Sequence, residues 1–179
     1  MNKIKHIVGP TIALRSGQYF DLKQPWACEF SIEDIAHALA NLCRFTGHCK
    51  QFYSVAEHSV FTSQIVPPEF ALEGLLHDAA EAFIGDIAKP LKSILPDYAV
   101  IEERVENAVL TRLGVPVKMS PEIKHADLRM LKAEQFQAME DTNVWPLVDE
   151  LDAADIKLEF WPPERAKQEF LQRFEELAA

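Results

Sequence analysis

Long apolar runs are missing from this chain. No stretch approaches the roughly 18 residues needed to span a bilayer, so no membrane partner is expected. Cysteine is scarce: Cys28, Cys43 and Cys49 are the only three, and they form no C-x-x-C pair. That argues against a disulfide framework and against a cysteine zinc site. Positive charge is also in deficit, with 18 Lys and Arg against 28 Asp and Glu and a formal net charge of −10. Such a surface repels a phosphate backbone and counts against a nucleic-acid polymer as partner. It leaves open a small phosphorylated ligand, which needs only a locally positive cleft. The segment Met1–Pro10 carries two lysines but no long apolar core and no small-residue cleavage site. No secretory signal is therefore expected, and the expected location is the cytoplasm.

What is present is the composition of a globular domain. The chain has 179 residues, 48% hydrophobic and 26% charged, enough for a single core of ordinary size. Residues 7–30 read as two short extended runs around Gly17, a small hairpin with His6 exposed before it. From residue 31 onward the pattern is helical. Ser31 with Asp34 resembles a capping box with Asp in place of Glu, and Ser54 with Glu57 fits the motif better. The helix from Ser54 should run to about Ile65. Pro67-Pro68-Glu69 opens another helix, Tyr98–Leu113 is a long one stopped by Gly114, Pro121 starts one running towards Met139, and Pro162-Pro163 starts the last. The expected fold class is all-α: residues 31–179 form a helical domain, with residues 1–30 as a hairpin extension packed on it.

Chemistry concentrates in Leu75-Leu76-His77-Asp78-Ala79-Ala80-Glu81, followed by Gly85-Asp86. Polar groups placed among apolar residues are costly unless paired, and a divalent cation is the natural partner for His77 and Asp78. His58, on the helix capped by Ser54, offers a third ligand. Asp127, in the amphipathic run His125–Leu131, is the best candidate for a fourth. Mixed nitrogen and carboxylate ligands suit Mn, Fe, Co, Ni or Zn better than Ca. A site with open positions admits water and a substrate oxygen, as hydrolysis requires. Glu81, four residues after His77, would face the same side of a helix.

The ordered set His58, His77-Asp78 and Asp127 resembles the HD-domain phosphohydrolase superfamily. Arg44-Phe45, Ser54-Val55-Ala56-Glu57-His58-Ser59, and Gly85-Asp86-Ile87 followed by Pro90-Leu91-Lys92 bring the resemblance nearer to its bacterial 5′-deoxynucleotidase-like branch, with residues 1–30 like the prophage members. It covers about Asp34 to Leu131. The resemblance implies a single HD-type helical bundle in which His58, His77, Asp78 and Asp127 hold one divalent metal (Mn, Co, Fe, Ni, Zn or Mg). It implies that Glu81 orients or deprotonates the attacking water and that Asp86 gives a proton to the leaving oxygen. Arg44 would contact phosphate or sugar. Phe45 stands where the family often has Trp, without the indole N–H. His48 and Lys92 are further substrate-binding candidates. The implied activity is hydrolysis of deoxynucleoside 5′-monophosphates by a homodimer or larger homo-oligomer. Di- or triphosphate substrates, a metal-containing nucleotide sensor without turnover, and a helical interaction module are the alternatives.

Overall fold

The structure, a computed structural model, describes residues 9–178. Residues 1–8, which include His6 and the start of the expected extension, and residue 179 lie outside the described residues. The chain is mostly helical, with one two-stranded antiparallel hairpin, β1 (Thr11–Ala13) and β2 (Tyr19–Asp21), in the register Thr11 to Asp21 and Ala13 to Tyr19. The helices are α1 (Ile32–Asn41), α2 (Val55–Ile65), α3 (Ala71–Leu76), α4 (Glu81–Ile84), α5 (Lys89–Lys92), α6 (Pro96–Leu113), α7 (Pro121–Gln137) and α8 (Pro163–Ala178). Among the described residues, no helix is long and apolar enough to cross a membrane.

The axis of the fold is α2. Every residue from Val55 to Ser63 is buried, and α1, α3, α7 and α8 all pack against this helix. A helix buried on all sides carries little amphipathic signal. Its polar residues must therefore find partners inside the protein. Arg173 of α8 does this for Ser63, with Nε donating to the hydroxyl at 3.0 Å and a terminal nitrogen to the carbonyl at 3.2 Å. The contact of α3 with α2 is close because Gly74 carries no Cβ: a methyl group there would stand 3.2 Å from the Cα of Ser63. This close approach sets the end of α3, and hence His77, beside α2.

The two capping boxes exchange rank. At α1 the box is complete: Ser31 accepts from the Asp34 amide at 3.1 Å, and Asp34 accepts from the Ser31 amide at 3.1 Å. Asp34 also accepts from the Ser16 amide at 2.9 Å, tying the hairpin to α1. At α2 only half of the box forms. The Ser54 hydroxyl accepts from the Glu57 amide at 3.1 Å, but the Glu57 carboxylate turns away. It accepts from the amides of Glu159, Phe160 and Trp161 at 2.8, 2.9 and 2.7 Å. A fully buried carboxylate finds more donors in that turn than its own N-cap could offer. It also holds Phe160 at a positive φ of 55°, a conformation costly for an aromatic residue.

The hairpin reaches the core through Phe20, whose ring stacks on Phe83 of α4 at 4.0 Å between centroids, with Phe30 edge-on to both. Aromatic packing thus fixes α4, the helix that begins with Glu81. Replacing Glu57 by Ala removes the acceptor from three amides, of which that of the buried Trp161 is left unpaired at a cost of about 1–3 kcal/mol. We expect chemical denaturation to show a loss of about 1–3 kcal/mol; a loss below about 0.5 kcal/mol, the size of an ordinary surface change, would contradict this anchoring role.

Candidate metal centre

Helix α2 supplies His58, the end of α3 supplies His77 and α7 supplies Asp127. One ligand atom from each comes within 4.8 Å of the others. The Nε2 atoms of the two imidazoles are 3.3 Å apart, and an Asp127 oxygen lies 3.3 Å from Nε2 of His58. Asp78 completes the wall: its Oδ2 is 3.3 Å from Nε2 of His77 and 3.6 Å from Nε2 of His58.

What these atoms ask for follows from the far side of each ring. Nδ1 of His77 meets the carbonyl of Gly74 at 2.8 Å, and Nδ1 of His58 meets a carboxylate oxygen of Glu134 at 2.6 Å. Both acceptors are obligatory, so both rings carry a hydrogen on Nδ1. The two Nε2 atoms of neutral rings then turn lone pairs towards each other and towards two carboxylates. Four electron-rich atoms facing one point require a cation or a proton. Two nitrogens 3.3 Å apart, each about 2.1 Å from a common ion, subtend roughly 100° at it, an ordinary coordination angle. Burial and the Arg44 charge push the His58 imidazole down, yet Glu134 and Asp127 carry it up to about 9. The same carboxylates that draw a proton to His58 would draw a metal ion. Burial works against Asp127 ionising, but His58 and His77 hold its carboxyl well below the usual range. His58, His77 and Asp127 could hold a metal ion.

The expectation that His77 and Glu81 share one helix face takes a different form. Helix α3 ends at Leu76, and residues 77–80 continue as tight turns. Amides bond three residues back, Ala79 to Leu76 and Glu81 to Asp78, at 2.9 and 3.0 Å. At three residues per turn, positions three apart eclipse, so Glu81 stands over Asp78. Burial, then the charges of Asp78 and Asp86, push the Glu81 carboxyl well up. Its Oε2 is buried without a hydrogen-bond partner.

Asp86 follows Gly85, whose φ of 82° and ψ of 158° lie in a region open essentially to glycine alone. This ends α4 and turns the chain back towards the centre. Burial raises the Asp86 carboxyl, against the pull of Arg44. Lys92 on α5 is taken up by Glu102 at 2.5 Å and stands 3.9 Å from Glu81.

Arg44 is buried among acids. One terminal nitrogen donates to Glu134 at 2.9 Å, and the other is 3.7 Å from Asp78, too far for a hydrogen bond. Phe45 and Thr46, which follow it, both have positive φ, 53° and 56°. Strain of this kind persists only where the surroundings over-determine it, and it concentrates at functional sites. The Phe45 ring lies 6.0 Å from the ring of Trp145, forming a short aromatic wall beside the guanidinium. His48, at the end of this loop, is exposed and makes no side-chain hydrogen bond or ion pair among the described residues. It stands apart from the cluster.

Sequence reading missed Glu134 and Tyr53. Fully buried Glu134 joins three partners, since the Tyr53 hydroxyl also donates to it at 2.9 Å. Burial opposes its ionisation, but Arg44 and His58 bring it down to about 2. A signal was available: Glu134 lies two helical turns after Asp127, on the same face of α7.

No family model matches the chain. It is 41% identical over 165 residues to the uncharacterized protein YfdR of Escherichia coli K12, covering 91% of this chain and 93% of YfdR. The chain belongs to the YfdR family. An uncharacterized protein of Rhodobacter capsulatus is 30% identical over 177 residues, covering 88% of this chain and 90% of that protein.

Replacing Arg44 by Ala leaves the Glu134 carboxylate buried without its main counter-charge. We expect a destabilisation on the order of 3 kcal/mol in denaturant titration of the metal-free protein. A loss under about 0.5 kcal/mol, typical of a solvated surface pair, would contradict the geometry.

Proposed function

We propose that this chain is an HD-domain phosphohydrolase that binds one divalent metal through His58, His77, Asp78 and Asp127 and hydrolyses deoxynucleoside 5′-monophosphates. The observation that carries the reading is the convergence of two oriented Nε2 lone pairs and two carboxylates on one point, with the buried Glu81 carboxyl close enough to feel the Asp78 charge. The metal is Mn, Co, Fe, Ni, Zn or Mg; when bound, it supplies Lewis-acid activation of water and neutralises phosphoryl charge.

The chain's own residues divide the remaining work. Glu81 takes a proton from the attacking water; its carboxyl is pushed up by burial and by Asp78 and Asp86, and its buried Oε2 has no other partner among the described residues. Asp86 gives a proton to the departing 5′ oxygen, a role that the upward push of burial on its carboxyl favours. Arg44 presents its fork to phosphate or sugar, already oriented by Glu134. Phe45 and Trp145 offer an apolar wall to sugar or base. Lys92, engaged by Glu102, adds positive charge behind Glu81. A monophosphate is favoured over longer phosphate chains because Arg44 and Lys92 are the only cations the described residues place against the cluster, and both are already paired with acids. Leu91 on α5, Ile94 and Leu95 in the connection that follows, and Val100 on α6 are exposed apolar residues, which supports self-association.

The test is phosphate release across deoxynucleoside mono-, di- and triphosphates with several divalent metals, alongside elemental analysis. We expect one metal per chain and fastest release from a monophosphate. Glu81→Ala should keep the metal and lose roughly 10²–10⁴-fold in kcat. A metal-replete wild type that releases no phosphate from any nucleotide would favour a sensor, and a protein that takes up no metal would favour an interaction module.

A further inference from the structure

The proposed chemistry employs the metal-facing atoms of His58 and the guanidinium of Arg44, and both are held from behind by one residue. Glu134 is fully buried on α7. Its Oε1 accepts from Nδ1 of His58 at 2.6 Å and from the Tyr53 hydroxyl at 2.9 Å, and its Oε2 accepts from Arg44 at 2.9 Å. We propose that Glu134 is a positioning residue that couples the metal half of the site to the substrate half. It fixes His58 in the form that presents Nε2 and holds Arg44 beside Asp78. This inference rests on the metal-dependent reading above.

The arrangement needs a carboxylate and not merely a polar side chain. All three neighbours donate, so both oxygens must accept. A glutamine in this place has one acceptor oxygen and one NH2 donor. Whichever way it turns, the NH2 faces either Arg44 or the pair His58 and Tyr53, and one partner loses its anchor. If the oxygen keeps His58, Arg44 is released; if it keeps Arg44, His58 loses its tautomer constraint. Tyr53 serves as the internal comparison, because Tyr53→Phe removes one donor from the same buried cluster and leaves the carboxylate and its other two bonds intact. Helix α7 also carries Asp127. One rigid element therefore supplies both a carboxylate facing the ion and the carboxylate that orients the facing histidine.

Calorimetric titration of metal-stripped protein with Mn(II) or Co(II) tests the proposal without relying on turnover. Glu134→Gln should weaken metal binding about 10- to 100-fold, the usual effect of losing a carboxylate behind a ligating histidine. At saturating metal, its kcat/KM for the best nucleotide should still lie about tenfold or more below wild type, through Arg44, as expected for a lost charge-assisted contact. Tyr53→Phe should stay within about threefold of wild type in metal affinity, because the Glu134 carboxylate and its bond to Nδ1 of His58 remain in place. A folded Glu134→Gln protein with wild-type metal affinity would overturn the proposal, as would Tyr53→Phe matching its loss, which would mark a general packing effect. Full recovery of kcat/KM at saturating metal would overturn the coupling to Arg44. Should Glu134→Gln fail to fold, Glu134→Asp decides: its shorter side chain withdraws the carboxylate from His58, so weakened metal binding is expected and wild-type affinity overturns the proposal. A wild-type protein that takes up no metal would overturn both this proposal and the functional reading, whereas wild-type uptake with an unaffected Glu134→Gln would overturn this proposal alone.

Discussion

Two imidazoles whose Nδ1 atoms are committed to fixed acceptors determine what the centre of this molecule can be. The Gly74 carbonyl and the Glu134 carboxylate oblige both rings to show unprotonated nitrogen to each other in their neutral forms. That arrangement is unfavourable alone and favourable around positive charge. The surrounding design serves it. Gly74 lets α3 approach α2, and Arg173 closes the far end of α2. Glu57 ties α2 to the turn at residues 159–161. The charged and ionisable residues buried on α2, Glu57 and His58, are tolerated because partners from segments distant in sequence meet them: the amides of residues 159–161 and the Glu134 carboxylate.

Charge is distributed to match. The molecule carries a formal net charge of −10, yet its buried acids are not simply accumulated. Glu134 and Asp127 are stabilised as anions by Arg44 and the histidines, whereas Glu81 and Asp86 are pushed towards holding protons by burial and by Asp78 nearby. One compact cluster thereby contains carboxylates fit to hold a cation and carboxylates fit to move a proton. Environments that separate the protonation of neighbouring acids in this way are characteristic of acid–base sites.

Much of this was legible in the sequence, for identifiable reasons. Helix ends marked by proline and glycine, as at Pro121 and Gly114, depend on local backbone rules and were read within a residue or two. The hairpin around Gly17 was equally local. The candidate ligands stood out because His77 and Asp78 lie among apolar residues, where chance rarely puts them. What escaped was set by tertiary partners. Glu57 looked like a capping residue, and only the turn at 159–161, more than a hundred positions away, explains why its carboxylate abandons the cap. Glu134 looked like one more acid on a helix of evenly mixed charge. Nothing local says that Arg44, Tyr53 and His58 meet behind it. The tight turns of residues 77–80, which place Glu81 over Asp78, were hidden because their sequence is as compatible with a continuous helix.

The central claim is that the facing Nε2 atoms of His58 and His77 exist to hold a metal ion together with Asp127. Its most direct test is anomalous diffraction, at the metal's absorption edge, from crystals grown with Co(II) or Mn(II). The account predicts one strong peak per chain, about 2.0–2.3 Å from both Nε2 atoms and from an Asp127 oxygen. A fully occupied metal bound elsewhere, with the two imidazoles still facing each other unliganded, would contradict it.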